Sequence, residues 1–179
     1  DGSGLRQLTY EARGGAGPPV WSPDGARLAY CVQGQGVYIL ELGKPWVEQS
    51  PQALPPLGEP NVWFSAWSWS PDGRKLAVQH WRTADGVTSG FSVYSLGSRK
   101  YERLTDFGSR PRWLKDNRRL LFHHEGKIWL IDSRSRKARE VLSAAPHEID
   151  GRFAISPDNR TIYFGLVHTE ADVWLMEFK

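Results

Sequence analysis

Short apolar runs, separated by polar turn residues, follow one another along the chain. The clearest unit lies at residues 110–143, where RPRWL, RRLLFHH, KIWLIDS and AREVLS are separated by KDN, EG and RSRK. β-Branched and aromatic residues dominate these runs, as is typical of strands. No stretch of this unit repeats its apolar residues with a helical period. The pattern predicts an all-β chain, with four short strands in this unit.

One strand–turn–strand phrase recurs four times in the 179 residues. The copies read WSPDGARLAY from Trp21, WSPDGRKLAV from Trp69, WLKDNRRLLF from Trp113 and ISPDNRTIYF from Ile155. Pro presets φ, Asp bonds to nearby amides and Gly or Asn accepts a positive φ, so the phrase predicts a tight hairpin. Successive copies begin 48, 44 and 42 residues apart, which is the spacing of β-propeller blades.

Stacked around an axis, such sheets bury the apolar faces that a single sheet leaves open. We expect one β-propeller domain or segment over residues 1–179, with four blades of four antiparallel strands. The repeats are predicted at residues 18–50, 62–105, 109–142 and 150–178, with an additional strand at 5–9. This N-terminal strand is predicted to be the outer strand of the last blade, which gives 16 strands in all. The fourth strand of the first repeat is expected near residues 46–50.

The SPDG-x-x-L-A hairpin, with L-x-x-L-T before the next unit, resembles the repeat of TolB-like β-propellers. The same signature occurs in the propellers of prolyl-oligopeptidase-type and tricorn-type peptidases, and in bacterial sensors and regulators. The resemblance covers essentially the whole chain. It implies a bacterial protein that is periplasmic or otherwise extracytoplasmic, with a cytoplasmic location left open.

The number of blades leaves three arrangements open, because TolB-like rings usually have six or seven blades. The chain is a segment of a larger propeller, a four-bladed ring, or half of a homodimer that completes an eight-bladed ring. Several tryptophans fall at repeat positions, where we expect them to fill the space between blades. They are Trp21, Trp69, Trp113, Trp129 and Trp174.

Two segments depart from the repeat. Residues 43–67 contain five prolines, and residues 80–90 are predicted to form a long loop between a second and a third strand. Insertions in repeat proteins map to loops on one face, which is often the binding face. We expect Trp63, Trp81 and Arg82 to form one wall of a pocket, although a tolerated insertion with an aromatic plug explains the segments equally well. The candidate partner-binding residues are Trp46, Trp63, Trp81, Arg82 and His124.

Charge and composition exclude several classes of partner. The net charge is only +3 and the basic residues are scattered apart from RSRKAR at residues 134–139, so no nucleic-acid partner is expected. No apolar run is long enough for a transmembrane helix, so no membrane insertion is expected. Cys31 is the single cysteine, which rules out an internal disulfide and predicts a small buried apolar side chain.

The sequence contains no recognisable catalytic or cofactor motif. HExxH, CxxC, G-x-S-x-G, a Walker loop and a dinucleotide fingerprint are all absent. The adjacent His123 and His124 point to opposite sides of a strand, which disfavours a shared metal ion. We therefore expect no enzyme, no cofactor and no metal site. The predicted function is protein or peptide binding, as the interaction or sensor module of a larger protein. The alternatives are the substrate gate of a prolyl-oligopeptidase-like serine peptidase and a structural self-assembly unit.

Overall fold

A computed structural model describes residues 3, 5, 7–9, 15, 17–44, 48–82 and 84–167. Fourteen strands lie within these residues. They are β1 (Val20–Trp21), β2 (Arg27–Val32), β3 (Gly36–Glu41), β4 (Gln52–Ala53), β5 (Val62–Trp69), β6 (Lys75–Arg82), β7 (Thr88–Ser95), β8 (Lys100–Thr105), β9 (Ser109–Trp113), β10 (Arg119–His124), β11 (Lys127–Asp132), β12 (Ala138–Leu142), β13 (Glu148–Ile155) and β14 (Ile162–Val167).

Consecutive strands pair antiparallel into sheets that follow the predicted repeats. Three sheets have four strands each, in the orders β1-β2-β3-β4, β5-β6-β7-β8 and β9-β10-β11-β12. The fourth sheet has two strands in the described residues, β13 and β14. The predicted third strand at residues 172–178, with Trp174, lies outside the described residues. The prediction of an all-β chain of antiparallel sheets is confirmed.

The first strands of the four sheets lie next to one another. β1 contacts β5, β5 contacts β9, and β9 contacts β13, so these four strands form the inner edge of the assembly. Apolar side chains fill the space between the sheets, including Val78 and Tyr94 between the first two sheets and Phe91 and Phe122 between the next two.

The recurring phrase forms the tight turn that its residues predict. Ser22 donates a hydrogen bond to the Asp24 carboxylate, and the Ala26 amide donates another. These two bonds hold the pKa of Asp24 below its usual range. Gly25 and Asn159 occupy equivalent turn positions, with φ of 70° and 61°. Both angles lie in the left-handed region that glycine and asparagine tolerate best.

Tryptophans at the repeat positions pack against the preceding sheet. The Trp69 indole nitrogen donates to the Val20 carbonyl at 3.0 Å, and the Arg27 guanidinium lies 4.7 Å from the centre of its ring. Trp113 is similarly buried, with 8% of its surface exposed. Trp21 differs, because 59% of its surface is exposed. No described sheet precedes the first one to cover it.

Three details of the predicted strands are wrong. The outer strand of the first sheet is β4 at Gln52–Ala53 rather than near residues 46–50. Prolines at positions 51 and 55 lie close to both ends of this strand and restrict its ladder, because proline has no amide hydrogen. The second error concerns the predicted strand at residues 5–9. The described residues there, 5 and 7–9, are not in a strand, and Leu8 packs against the first sheet.

The predicted long loop at residues 80–90 is the third error. β6 continues to Arg82 and β7 begins at Thr88, so both strands extend into the predicted loop. The Arg82 amide donates to the Val87 carbonyl at 3.0 Å, which closes the hairpin. Asp85 accepts a hydrogen bond from the Val87 amide and stabilises the turn.

Candidate binding surface

The described candidate residues lie at one end of the sheets, which we call the end face. It carries the turns at residues 33–35, 84–87 and 125–126, each lying between a second strand and a third strand. In an antiparallel sheet the beginning of the first strand and the end of the second strand are neighbours. Trp63 near the start of β5 and Trp81 near the end of β6 are therefore close together. Trp46 lies outside the described residues.

Trp63 and Trp81 are direct cross-strand partners. Their rings stack with centroids 5.0 Å apart and an interplanar angle of 25°, and both residues are half-buried. Such aromatic pairs contribute about 0.5–1.5 kcal/mol beyond their buried area. Trp81 therefore fixes the orientation of the Trp63 ring.

Trp63 lines an apolar groove of about 540 Å³ between the first two sheets. On one side lies the β2–β3 turn, including Gly34 and Gly36, and on the other lies the beginning of β5. Leu54 and Pro56, from the proline-rich segment, complete the lining. The segment that breaks the repeat thus forms part of a groove wall together with Trp63.

Arg82 lies apart from this groove. Its guanidinium forms an ion pair with the Asp85 carboxylate at 2.8 Å, and both side chains are about half-exposed. Exposed ion pairs of this kind contribute about 0–1 kcal/mol to the free energy of unfolding. The structure brings the rings of Trp63 and Trp81 together, but it places Arg82 at the adjacent turn beside the Asp85 carboxylate.

His124 lies on the third sheet, at the same end face. Its ring packs against Phe107 and Trp129, with centroid distances of 4.7 and 5.9 Å. It also borders a polar cleft of about 330 Å³ that includes Arg110 and Asp150. His124 is therefore held by aromatic packing rather than in the groove with Trp63.

The neighbouring histidine does not share a metal-binding arrangement with His124. A ring nitrogen of His123 lies 3.0 Å from the Ile149 carbonyl oxygen, and burial lowers the pKa of this histidine. Among the described residues no three His, Cys, Asp or Glu side chains are grouped as metal ligands.

In the described part of the chain, no helix has the length and apolar character needed to cross a membrane.

A second concavity lies beside the inner strands of the last three sheets, and we call it the axial cleft. Its volume is about 530 Å³. It is lined by Trp67, Arg110, Arg112, Gly151, Arg152, Phe153, Ala154, Tyr163 and Phe164. Its lining combines three arginines with four aromatic rings and contains no carboxylate among the described residues.

Comparison with known proteins identifies the fold but not a family. No protein-family model matches the chain, and no curated protein sequence matches it. TolB from Acinetobacter baumannii is 19% identical, with a TM-score of 0.65 over 92% of this chain and 40% of that chain. A putative TolB from Agrobacterium tumefaciens is 20% identical, with a TM-score of 0.54 over 85% of this chain and 70% of that chain.

A third similar structure is the β-propeller domain of the trilobed protease from Pyrococcus furiosus. It is 16% identical, with a TM-score of 0.50 over 75% of this chain and 44% of that chain. The fold is a TolB-like β-propeller. The propeller described here spans 40% of the length of the Acinetobacter TolB. Because similar propellers occur in a TolB and in a protease, the fold alone does not decide whether this propeller takes part in catalysis.

The sequence pattern does not reveal the axial cleft of the propeller. Each innermost strand that lines it, β5, β9 and β13, contains a break in register where extra residues leave the regular ladder. A bulge of this kind is set by pairing between strands, and the apolar–polar pattern of one strand does not show it. The available signal was the arginine pair in SRPRW, the first strand of the third blade.

Proposed function

We propose that this propeller is a non-enzymatic module that binds a protein or peptide through the groove on its end face. The observation that carries the proposal is Trp63, which lines an apolar groove and is held in place by its stack on Trp81. A tryptophan that is already oriented loses little conformational entropy when it enters an interface. Tryptophan is also one of the residue types enriched among the energetic anchors of interfaces.

The groove lining supports binding rather than chemistry. Within the described residues it contains glycines, apolar side chains, Gln35 and Asn61, with no carboxylate, imidazole or thiol. The surrounding blades supply stiffness, since their strands are joined by short turns and their faces are packed together. An extracytoplasmic location, which the TolB-like repeat implies, forms part of this proposal.

Replacing Trp63 with alanine should weaken peptide binding by about thirtyfold, the effect of removing an interface anchor worth about 2 kcal/mol. A peptide selected from a displayed random library on the purified propeller provides the probe, and fluorescence anisotropy measures its Kd. Trp81→Ala should weaken binding less, because it removes the support of Trp63 and leaves the groove lining in place. Trp21→Ala is the matched control, since Trp21 is exposed and does not line the groove.

If Trp63→Ala folds normally and binds the selected peptide as tightly as the parent does, the groove is not the peptide site. Failure of the library to yield any sequence-specific peptide leads to the same conclusion.

Self-assembly is a second candidate function, and the exposure of Trp21 favours it. Trp69 and Trp113, its counterparts in the next two blades, are 6% and 8% exposed because the preceding blade covers them. The same contact made by a second copy of the chain would cover Trp21 and extend the ring towards eight blades.

Sedimentation equilibrium tests this arrangement directly. The parent chain should form a dimer, and Trp21→Ala should weaken it by about tenfold or more, because about 1.5–3 kcal/mol of apolar burial is lost. Trp63→Ala serves as the control, because Trp63 is not at this edge of the propeller. A parent chain that stays monomeric at high concentration excludes the eight-bladed homodimer.

A further inference from the structure

The axial cleft is built by residues that leave the regular ladders of the innermost strands. In β5, Ala66 and Ser68 pair with neighbouring residues of β6, so Trp67 lies between them without a partner. In β9, Arg112 pairs with Leu121 and Ser109 with His123, which leaves two residues of β9 opposite one of β10. β13 has a similar shift between Ile149 and Phe153. Bulges redirect side chains and are frequent beside functional sites.

These bulges bring a tryptophan and two arginines together. The guanidinium carbons of Arg112 and Arg110 lie 5.7 and 5.9 Å from the centre of the Trp67 ring. Arg112 also donates a hydrogen bond to the Trp67 carbonyl oxygen at 2.9 Å. Both arginines are half-buried. Two cations held on one ring repel each other, and such an arrangement gains stability when an anion lies between or beside them.

The positive charge in the cleft is only partly compensated by the described part of the chain. Arg110 and Arg152 share one carboxylate, Asp150, at 3.9 Å from each. Arg112 forms no ion pair with any described residue, and its buried Nε has no hydrogen-bond partner among them. Burial and the nearby Arg110 lower the pKa of Arg112, as expected for a cation without a partner.

The remaining wall of the cleft is apolar. Phe153, Tyr163 and Phe164 line it together with Trp67, and the exposed fractions of Tyr163 and Phe164 are 62% and 38%. Its volume of about 530 Å³ lies within the range of small-molecule sites, which is roughly 300–1,000 Å³. Mostly apolar walls with a few fixed polar groups are typical of such sites.

We propose that the axial cleft binds a carboxylate carried on an aromatic or other apolar group. Arg112 and Arg110 bind the carboxylate, because guanidinium donors match its two oxygens. Trp67 and the aromatic wall contact the apolar part of the ligand. The same chemistry is offered by a small aromatic acid and by the C-terminal carboxylate of a peptide that ends in an aromatic residue. The axial cleft shares no lining residue with the end-face groove, so this proposal is tested independently of the proposed function.

Phenylacetate and phenylacetamide form the matched probe pair, since they differ in charge but hardly in shape. Isothermal titration calorimetry on the intact chain should show phenylacetate binding at least about tenfold more tightly than the amide, because a hydrogen bond to a charged group contributes more than a neutral one. Arg112→Gln should weaken phenylacetate binding by about tenfold or more and leave the weak binding of the amide unchanged. An N-acetylated dipeptide ending in phenylalanine, compared with its C-terminal amide, tests the peptide source of the carboxylate.

Two control variants test whether the effect belongs to the cleft. Arg134→Gln removes an exposed arginine from a turn outside the cleft and should leave phenylacetate binding unchanged, as should Trp63→Ala in the groove. If Arg112→Gln does not fold by circular dichroism, Arg110→Gln takes its place, because Arg110 is the other arginine that the proposal assigns to the carboxylate. Equal binding of phenylacetate and phenylacetamide, or binding that neither cleft variant weakens, overturns the proposal. Inorganic phosphate that binds as tightly as phenylacetate overturns the assignment to a carboxylate.

Discussion

Phe122→Ala should lower the free energy of unfolding by about 3–5 kcal/mol, the usual cost of removing a fully buried aromatic side chain. The Phe122 side chain has no exposed surface, and its ring contacts Phe91 and Phe107 at centroid distances of 5.2 and 5.6 Å. These residues fill the space between the second and third blades. Removing the ring leaves a cavity that neighbouring strands, fixed by their ladders, cannot close.

Urea denaturation monitored by tryptophan fluorescence measures this loss. Phe164→Ala is the matched control, because the same substitution at a side chain that is 38% exposed should cost much less, about 1 kcal/mol. A loss at Phe122 no larger than at Phe164 would mean that the two blades are not packed through this ring. The two binding sites described above would then lack a rigid support.

Acid should destabilise the propeller through His80, a buried histidine on β6. No surface of His80 is exposed, and neither ring nitrogen has a hydrogen-bond partner among the described residues. Burial and the nearby Arg103 lower its pKa from 6.5 to about 4, while Glu59 acts in the opposite direction. The folded state thus favours the neutral imidazole more strongly than the unfolded state does.

The sign of the pH dependence follows from this lowered pKa. The contribution of His80 is fully present above pH 6.5 and is lost as the pH falls from 6.5 to about 4, where the unfolded chain binds the proton first. The loss should reach about 3 kcal/mol near pH 4. Urea midpoints measured between pH 7.5 and pH 4 should show it, with a steeper decline in the parent than in His80→Met.

Two comparisons isolate the histidine from other acid-sensitive groups. His147→Met replaces an exposed histidine and should keep the acid-induced loss of the parent. Hydrogen bonds from Ser22 and Ser156 hold the pKa values of the turn aspartates Asp24 and Asp158 below the usual carboxyl range, so these groups act at lower pH than His80. If the parent and His80→Met lose stability in parallel between pH 6.5 and pH 4, His80 does not carry this effect.

The sequence predicted the repeat because its turns are local. SPDG and its variants fix a hairpin through contacts within about five residues, such as Ser70 with Asp72 and with the Lys75 amide. Apolar runs of strand length on each side of the turn then predict a sheet, and their regular spacing predicts blades. Where a prediction depended on loop length alone, as at residues 80–90, backbone pairing across the hairpin gave a different result.

The candidate groove was only partly predictable. The two breaks in the repeat, at residues 43–67 and 80–90, pointed to Trp63 and Trp81, and the structure places their rings in contact. The sequence pattern did not show that Arg82 would pair with Asp85, because that ion pair depends on how tightly the turn closes. His124 lies on another blade, and its distance from the groove depends on how the blades are arranged around the axis.

By itself, the sequence determined the strand-rich repeat, the turns that punctuate it and the tryptophans that cover neighbouring blades. Only the tertiary structure decided which side chains meet at the axis. Trp67 lies on the second blade and Arg110 and Arg112 lie on the third, so the hydrogen bond between Arg112 and Trp67 joins residues 45 positions apart. Their meeting depends on a bulge in each innermost strand and on the stacking of separate blades. Both are non-local, because they arise from pairing and packing between strands, so no pattern within one strand specifies them.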